Sequence, residues 1–258
     1  MGNVRVAGRR LEFARIGQAT RDAATVVLLH DGLGSISAWK DFPEALHSAT
    51  GHEVLVYSRY GYGGSQALSG PRSVQYMHEE ALIALPALLD QLGVANPILI
   101  GYSDGASIAI IHAGGTDRPV AGLILLAPHV FVEDVCIASI AAAERSYATT
   151  GPRMRLARHH ADPDSAFRGW SDIWLSPEFS TWNIAQYLRG IDCAVLAIQG
   201  TDDIYGTMQQ VERIARAASR VEVLQLAHCG HSPHRDQPGR VLQAIERFVA
   251  SLDTAAQQ

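Results

Sequence analysis

The chain has 258 residues, of which 47% are hydrophobic and 18% are charged, and its formal net charge is −5. This composition is that of a globular protein, and the length suits one large domain with a sizeable core. The acidic balance and the lack of lysine- or arginine-rich runs exclude the basic surface that nucleic-acid-binding domains carry. No apolar run approaches the roughly 20 residues of a membrane span, so we expect neither a membrane nor a nucleic-acid partner.

Cysteine usage indicates the compartment. The chain has three cysteines, Cys136, Cys193 and Cys229. An odd number without metal-ligand spacing favours a reducing environment, so we expect a cytoplasmic protein without a metal site.

In chain order, strand-like and helical patterns alternate. Alternating or apolar runs predict strands at 3–6, 11–17, 25–29 and 54–58. Residues 74–92 repeat leucines at helical spacing, with Pro86 inside the pattern, so this helix either kinks at the proline or begins later. A further strand is expected at 122–126, and apolar residues in 241–252 form one face of a closing amphipathic helix.

Residues 133–189 interrupt the alternation of strands and helices. This segment has no strand-like run and favours helices at 137–147 and from 152 to 174. A structureless loop of this length would be improbable inside a globular domain. The sequence therefore predicts a core formed by 1–132 and 190–258, with 133–189 inserted as a helical cap over the site.

A G-x-S-x-G pentapeptide, Gly101-Tyr102-Ser103-Asp104-Gly105, carries the clearest chemical signal. The apolar run 97–100 precedes it and 106–111 follows it, which predicts a strand, a sharp turn and a helix. Such a turn lifts a serine hydroxyl above the sheet and needs small residues two positions to either side. An ordinary strand-to-helix turn is the alternative, but this context favours Ser103 as a nucleophile.

A serine needs a base and an acid that orients the base. The apolar run 194–198 leads into Gly200-Thr201-Asp202-Asp203, and the strand predicted at 221–226 leads into His228-Cys229-Gly230-His231. Both segments lie just beyond the carboxyl ends of strands, where open α/β sheets place their sites. The acid is Asp203 or its neighbour Asp202. The base is His231, with His234 as the second candidate, whereas His228 is expected to pack or bond within the loop.

With these residues in the order Ser, Asp, His, the chain resembles the α/β-hydrolase fold superfamily, of the capped esterase, carbon–carbon hydrolase and enol-lactonase type. Four segments carry the resemblance: 26–35 is similar to the H-G-x oxyanion loop, 58–65 to the D-x-R-G-x-G-x-S turn, 200–203 to the G-x-x-D acid loop, and 230–231 to the G-H base loop. Two positions depart from the pattern. Asp31 stands where a glycine is usual, and Ser58 replaces an acidic residue.

The resemblance implies a mostly parallel eight-stranded sheet flanked by helices, with an inserted helical cap and no cofactor. It favours Asp203 over Asp202, because Asp203 holds the G-x-x-D register. It also implies that the backbone N–H groups of Asp104 and Gly32 form the oxyanion hole, with Leu33 replacing Gly32 if the loop is shifted by one.

The predicted function is that of a carboxylesterase-like serine hydrolase. It would cleave an ester, a lactone or an activated C–C bond of a small, largely apolar molecule through an acyl-enzyme, as a monomer or homodimer. A haloperoxidase-like oxidoreductase and a ligand-binding receptor on the same fold are the alternatives. Similar epoxide hydrolases and dehalogenases carry aspartate at the strand-to-helix turn where this chain has Ser103. An assignment as an epoxide hydrolase or a dehalogenase is therefore disfavoured.

Four residues are predicted to contact the substrate: Leu33, Tyr102, Trp170 and Trp174. The segment 133–189 holds three tryptophans and at least five arginines. Aromatic rings accept apolar groups, whereas arginine binds carboxylates. We expect at least one tryptophan in the pocket and solvated arginines, so that neutral or aromatic acyl substrates are preferred to dicarboxylates.

Overall fold

The computed structural model describes residues 1–18, 23–147 and 149–256, and its centre is one eight-stranded sheet. The strands are β1 (Gly2–Val6), β2 (Arg9–Ile16), β3 (Val26–Leu29), β4 (Val54–Tyr57), β5 (Ile98–Tyr102), β6 (Gly122–Leu126), β7 (Ala194–Gly200) and β8 (Val221–Leu226). Their order across the sheet is β1-β2-β4-β3-β5-β6-β7-β8. Strand β2 pairs antiparallel with β1 and β4, and the other neighbours pair in parallel. The predicted mostly parallel eight-stranded sheet is confirmed.

The central strands are apolar because helices cover both faces of the sheet. Successive side chains of a strand point to opposite faces. In β3, Val27 and Leu29 therefore pack into the core on one side, while Val26 and Leu28 pack into the core on the other. Every residue of β3, β5 and β6 is buried.

Ten α-helices are described: α1 (Phe42–Thr50), α2 (Tyr76–Glu79), α3 (Leu85–Gln91), α4 (Asp104–Gly115), α5 (Asp134–Tyr147), α6 (Thr150–Leu156), α7 (Pro163–Trp174), α8 (Gln209–Ala217), α9 (Pro233–Asp236) and α10 (Pro238–Ala256). Short 3-10 turns lie at Ser37–Trp39, Pro177–Phe179 and Ala185–Gly190. None of these described helices is both long and apolar enough to cross a bilayer.

The helix expected at 74–92 consists of α2 and α3 joined by a π-helical turn at Glu80–Ala84. Pro86 has no N–H to donate to the carbonyl of Leu82, and its ring would clash with that carbonyl in a regular α-helix. The wider turn just before the proline accommodates it.

The connection between β6 and β7 holds α5, α6 and α7, and we call residues 133–189 the β6–β7 insertion. The helical stretch expected from 152 to 174 consists of two helices, since α6 ends at Leu156 and α7 begins at Pro163. Asp162 caps α7 by accepting the Ser165 N–H at 2.9 Å. Proline at the first helical position, after an aspartate cap, is a favourable helix start.

Candidate active site

Ser103 lies in the turn between β5 and α4, and its backbone has φ 54° and ψ −117°. A side-chain-bearing residue rarely adopts a positive φ, which costs about 1–3 kcal/mol. The surrounding structure holds it there, since the Ser103 N–H donates to the carbonyl of Leu126 in β6 at 2.9 Å. Ser103 is 7% exposed, so its hydroxyl sits in a largely enclosed place.

The glycines on either side of Ser103 allow α4 to pack close to the sheet. A Cβ on Gly101 would lie 2.5 Å from the backbone nitrogen of Ala106. A Cβ on Gly105 would overlap the carbonyl of Leu29 in β3. The small residues that the motif requires are therefore fixed by backbone contacts.

The structure brings Ser103, His231 and Asp203 into one hydrogen-bonded chain. His231 Nε2 lies 3.0 Å from Ser103 Oγ, and His231 Nδ1 lies 2.8 Å from Asp203 Oδ2. An ionised carboxylate only accepts, so Nδ1 carries the ring proton and Nε2 presents its lone pair to the serine hydroxyl. The three side chains come from the ends of β5, β7 and β8.

Asp203 receives two further hydrogen bonds. The Tyr205 N–H donates to Oδ1 at 2.8 Å, and Gln199 Nε2 donates to Oδ2 at 2.8 Å and to the Gly206 carbonyl at 3.0 Å. Burial alone would raise the pKa of Asp203, but the His231 hydrogen bond and charge, with the Tyr205 N–H, outweigh it and lower that pKa. Sequence reasoning missed Gln199, whose signal was a polar side chain near the end of an otherwise apolar strand.

The alternative acid Asp202 and the histidines His228 and His234 take no part in this hydrogen-bonded chain. Asp202 is exposed, and its carboxylate accepts from the Thr201 hydroxyl at 2.9 Å. His228 is exposed, and its N–H donates to that same hydroxyl oxygen at 3.2 Å. His234 is buried, but neither ring nitrogen makes a hydrogen bond with the described residues.

Both loops expected to form the oxyanion hole border the same cavity as Ser103, through Gly32, Leu33 and Asp104. Asp104 is the first residue of α4, so its N–H has no acceptor within the helix, and the helix N-terminus favours negative charge. His30 braces the other loop, because its Nδ1–H donates to the Asp31 carbonyl at 2.7 Å.

Behind the turn that holds Ser103, the side chain of Asp104 belongs to a buried polar network. Its Oδ2 accepts from the Tyr76 hydroxyl at 2.6 Å and lies 3.8 Å from the guanidinium of the fully buried Arg59. Trp174 Nε1 donates to the same tyrosine oxygen at 3.2 Å. Burial raises the pKa of Asp104, and the Arg59 charge opposes that rise. The network ties the β6–β7 insertion to the residue that follows Ser103.

The departure at Ser58 is compensated by another strand. The Ser58 hydroxyl donates to Glu12 Oε1 at 2.5 Å and accepts from the Ile36 N–H at 2.9 Å. The same carboxylate oxygen accepts from the Gly64 N–H at 2.8 Å. Glu12 of β2 thus supplies the carboxylate that position 58 lacks.

A cavity of about 190 Å³ opens beside Ser103. All four residues predicted to contact substrate line it, and its full lining is Asp31, Gly32, Leu33, Tyr102, Ser103, Asp104, His129, Cys136, Ile140, Trp170, Trp174, Tyr205, His231 and Ser232. Pockets for drug-sized ligands start at about 300 Å³, so this one favours a small molecule. Trp182 packs behind it against Trp174, with ring centroids 5.8 Å apart.

The arginines of the insertion lie at the surface. Arg153 pairs with Asp164 at 2.6 Å, and Arg168 pairs with Glu144 at 2.7 Å. Across 1–18, 23–147 and 149–256, no lysine or arginine lines the cavity, whereas the carboxyl-bearing Asp31 does. In the same described ranges, no group of three or more His, Cys, Asp or Glu side chains is arranged to bind a metal ion.

Five cavity residues on four separate segments were not anticipated from the sequence: His129, Cys136, Ile140, Tyr205 and Ser232. His129 directly follows the Ala127-Pro128 pair at the end of β6, at the edge of the sheet that also holds Ser103 and Asp203. A polar residue just beyond the carboxyl end of a strand was the signal that could have identified it.

The model of the Alpha/beta hydrolase family matches residues 26–244, so the chain belongs to this family. Family membership supports hydrolase activity. A 2-succinyl-6-hydroxy-2,4-cyclohexadiene-1-carboxylate synthase of Klebsiella pneumoniae is 24% identical over 88% of this chain and 94% of that protein. A proline iminopeptidase of Lactobacillus delbrueckii subsp. lactis is 29% identical over 38% of this chain. That match spans about a third (33%) of the iminopeptidase.

Solved structures share the whole fold. A thermophilic esterase from Thermogutta terrifontis superposes with a TM-score of 0.77 at 20% identity, covering 98% of this chain and 100% of the esterase. The enol-lactonase from Burkholderia xenovorans LB400 superposes with a TM-score of 0.74 at 20% identity, with the same coverage of both chains. At these identities the likeness shows the fold.

Proposed function

We propose that the chain is a serine hydrolase that cleaves an ester, a lactone or an activated C–C bond of a small neutral molecule through an acyl-enzyme. The observation that carries the proposal is the hydrogen-bonded chain of Ser103, His231 and Asp203, whose serine is held at a strained turn. Strained backbone persists where the surrounding structure fixes it, and it concentrates at functional sites.

In the proposed reaction, His231 Nε2 takes the Ser103 proton as Oγ attacks the substrate carbonyl. Asp203 keeps the ring in the required tautomer and stabilises the imidazolium. The tetrahedral oxyanion is met by the N–H of Asp104 and that of Gly32 or Leu33. Each such donor typically lowers the barrier by about 3 kcal/mol. His231 then returns the proton to the leaving group, and water releases the acyl group by the same steps.

The substrate is proposed to be small and uncharged. The cavity holds about 190 Å³, and its walls include Ile140, Trp170 and Trp174. A dicarboxylate would meet Asp31 and find no arginine or lysine in the described lining. Charge repulsion and the cost of desolvating an unpaired carboxylate both disfavour such a substrate.

We further propose that residues 133–189 act as a cap on a core formed by 1–132 and 190–258. Trp170 and Trp174 reach the cavity from α7, and the Trp174–Tyr76 hydrogen bond of 3.2 Å ties that helix to the core. Closing a site with aromatic side chains excludes water and strengthens the electrostatic interactions inside it.

A hydrolysis screen tests the proposal. Purified protein is assayed on p-nitrophenyl esters of increasing acyl length, on lactones and on vinylogous 1,5-diketones, beside a folded Ser103→Ala variant. Turnover of at least one class by the wild type, lost in the variant, supports the proposal. Equal turnover by the two proteins contradicts it.

A further inference from the structure

Hydrogen bonds fix the backbone at His129 in the wall of the cavity. Its backbone carbonyl accepts from the Ser107 hydroxyl at 2.6 Å, and the N–H of the next residue, Val130, donates to Gln210 Oε1 at 2.7 Å. The His129 ring lies 5.6 Å from the ring of His231 and 5.2 Å from that of Trp174, measured between centroids. A group that binds this ring would thus lie within a few bonds of the scissile carbonyl.

His129 is only 2% exposed, and neither of its ring nitrogens makes a hydrogen bond with the described residues. Nδ1 is fully buried on the side of Gly206, so Nε2 is the nitrogen that a group in the cavity can reach. Two other buried histidines are each paired with a backbone carbonyl: His52 with Ala24 at 2.7 Å and His112 with Ala81 at 2.8 Å. A buried polar group without a partner costs stability, so a partner supplied by a ligand would be favourable.

Burial lowers the pKa of His129 to about 3, with the neighbouring His231 adding to the effect. The ring is therefore neutral at physiological pH, with one donor nitrogen and one acceptor nitrogen. A neutral imidazole hydrogen-bonds a keto or hydroxyl oxygen without attracting a carboxylate.

Building on the proposed acyl transfer, we propose that His129 is a specificity-determining residue that hydrogen-bonds a neutral keto or hydroxyl oxygen of the substrate near the scissile carbonyl. Substrates with such a second oxygen are then preferred to plain esters of the same length. The preference adds to the apolar contacts of the cavity and leaves the chemistry at Ser103 unchanged.

The test compares three matched esters in a pH-stat. Ethyl butanoate is paired with ethyl 3-hydroxybutanoate, which carries the oxygen on the acyl side, and with 2-hydroxyethyl butanoate, which carries it on the alcohol side. The ratio of kcat/KM within each pair is measured for the wild type and for His129→Leu. Dividing the two ratios cancels the intrinsic reactivity of each ester.

We expect His129→Leu to lower the ratio for one oxygen-bearing ester about tenfold, as for loss of a neutral hydrogen bond, while ethyl butanoate is still hydrolysed. The affected ester identifies the side that carries the oxygen. His129→Gln, which keeps a donor and an acceptor, should retain part of the preference and serves if the leucine variant does not fold. A merely structural role would slow all three esters by the same factor.

His234→Leu is the matched control, since His234 is another buried, unpaired histidine but lies outside the cavity lining. Its ratios should equal those of the wild type. Unchanged ratios for both oxygen-bearing esters in folded His129→Leu would overturn the assignment. Failure of the wild type to hydrolyse all three esters would overturn this assignment. If the wild type also turned over none of the lactones and 1,5-diketones of the screen, the proposed function would be contradicted as well.

Discussion

Replacing Asp203 by asparagine should abolish most activity without disturbing the fold. Three groups donate to this carboxylate: the Tyr205 N–H, Gln199 Nε2 and His231 Nδ1. Asparagine has one acceptor oxygen and one NH2 group, so in either orientation the NH2 group must face a donor. If the oxygen stays on Tyr205, the amide faces His231 and forces the ring proton to Nε2. The ring then points an N–H at Ser103 and cannot accept its proton.

In a well-studied serine triad this tautomer error lowers kcat about 10⁴-fold. At about 1.4 kcal/mol per factor of ten, that corresponds to about 5 kcal/mol of lost transition-state stabilisation. We expect a loss of the same order for Asp203→Asn, with the effect on kcat rather than KM.

Asp202→Asn is the control, because Asp202 is exposed and contacts Thr201. Steady-state kinetics on the best ester of the screen, with circular dichroism to verify folding, would measure both variants. Near-wild-type kcat is expected for Asp202→Asn. A larger loss in Asp202→Asn than in Asp203→Asn would refute the assignment of the acid.

Three further predictions concern packing, burial and charge. Gly105→Ala should lower the free energy of unfolding by about 1–3 kcal/mol, because the added Cβ meets the backbone of β3. Gly239→Ala, with open space around the added Cβ, should not lower it. Equal denaturation midpoints for the two variants would argue against the close approach of α4 to β3. His234→Phe should keep activity and raise stability, since His234 packs unpaired among aromatic rings and burial lowers its pKa to about 3. As pH falls below about 6.5, the unfolded histidine gains a proton that the buried native histidine does not bind, so wild-type stability falls towards pH 3. Over that range the free energy of unfolding of His234→Phe should fall by up to about 1.4 kcal/mol less per pH unit than that of the wild type. Parallel stability–pH curves would contradict this. Methyl butanoate should have a higher kcat/KM than monomethyl succinate. A preference for monomethyl succinate that disappears when an arginine such as Arg168 is replaced would refute the proposal of a neutral pocket.

The sheet and the approximate position of the candidate site could be predicted because their signals are local. Ser103 directly follows β5, while Asp203 and His231 lie three and five residues beyond the ends of β7 and β8. The carboxyl ends of parallel strands meet at one edge of a sheet. The strand-to-helix pattern around Ser103 also fixed the start of α4 within a few residues.

Contacts that depend on three-dimensional packing could not be predicted in this way. The Glu12–Ser58 hydrogen bond joins residues 46 positions apart and depends on how β2 lies beside β4. The closeness of the His129 and His231 rings likewise depends on how far apart β6 and β8 lie in the sheet. The break between α6 and α7 had a local signal in Asp162-Pro163, an aspartate cap followed by proline at the first helical position.

Covalent labelling with a fluorophosphonate tests the central claim most directly. The wild type is incubated with the probe, digested, and the modified peptide is identified by mass spectrometry, beside Ser103→Ala and a heat-unfolded sample. Stoichiometric labelling of Ser103 in the folded wild type alone, with parallel loss of ester hydrolysis, is the predicted result. A folded wild type that hydrolyses esters yet carries no label on Ser103, or a Ser103→Ala variant that retains full activity, would contradict the serine mechanism.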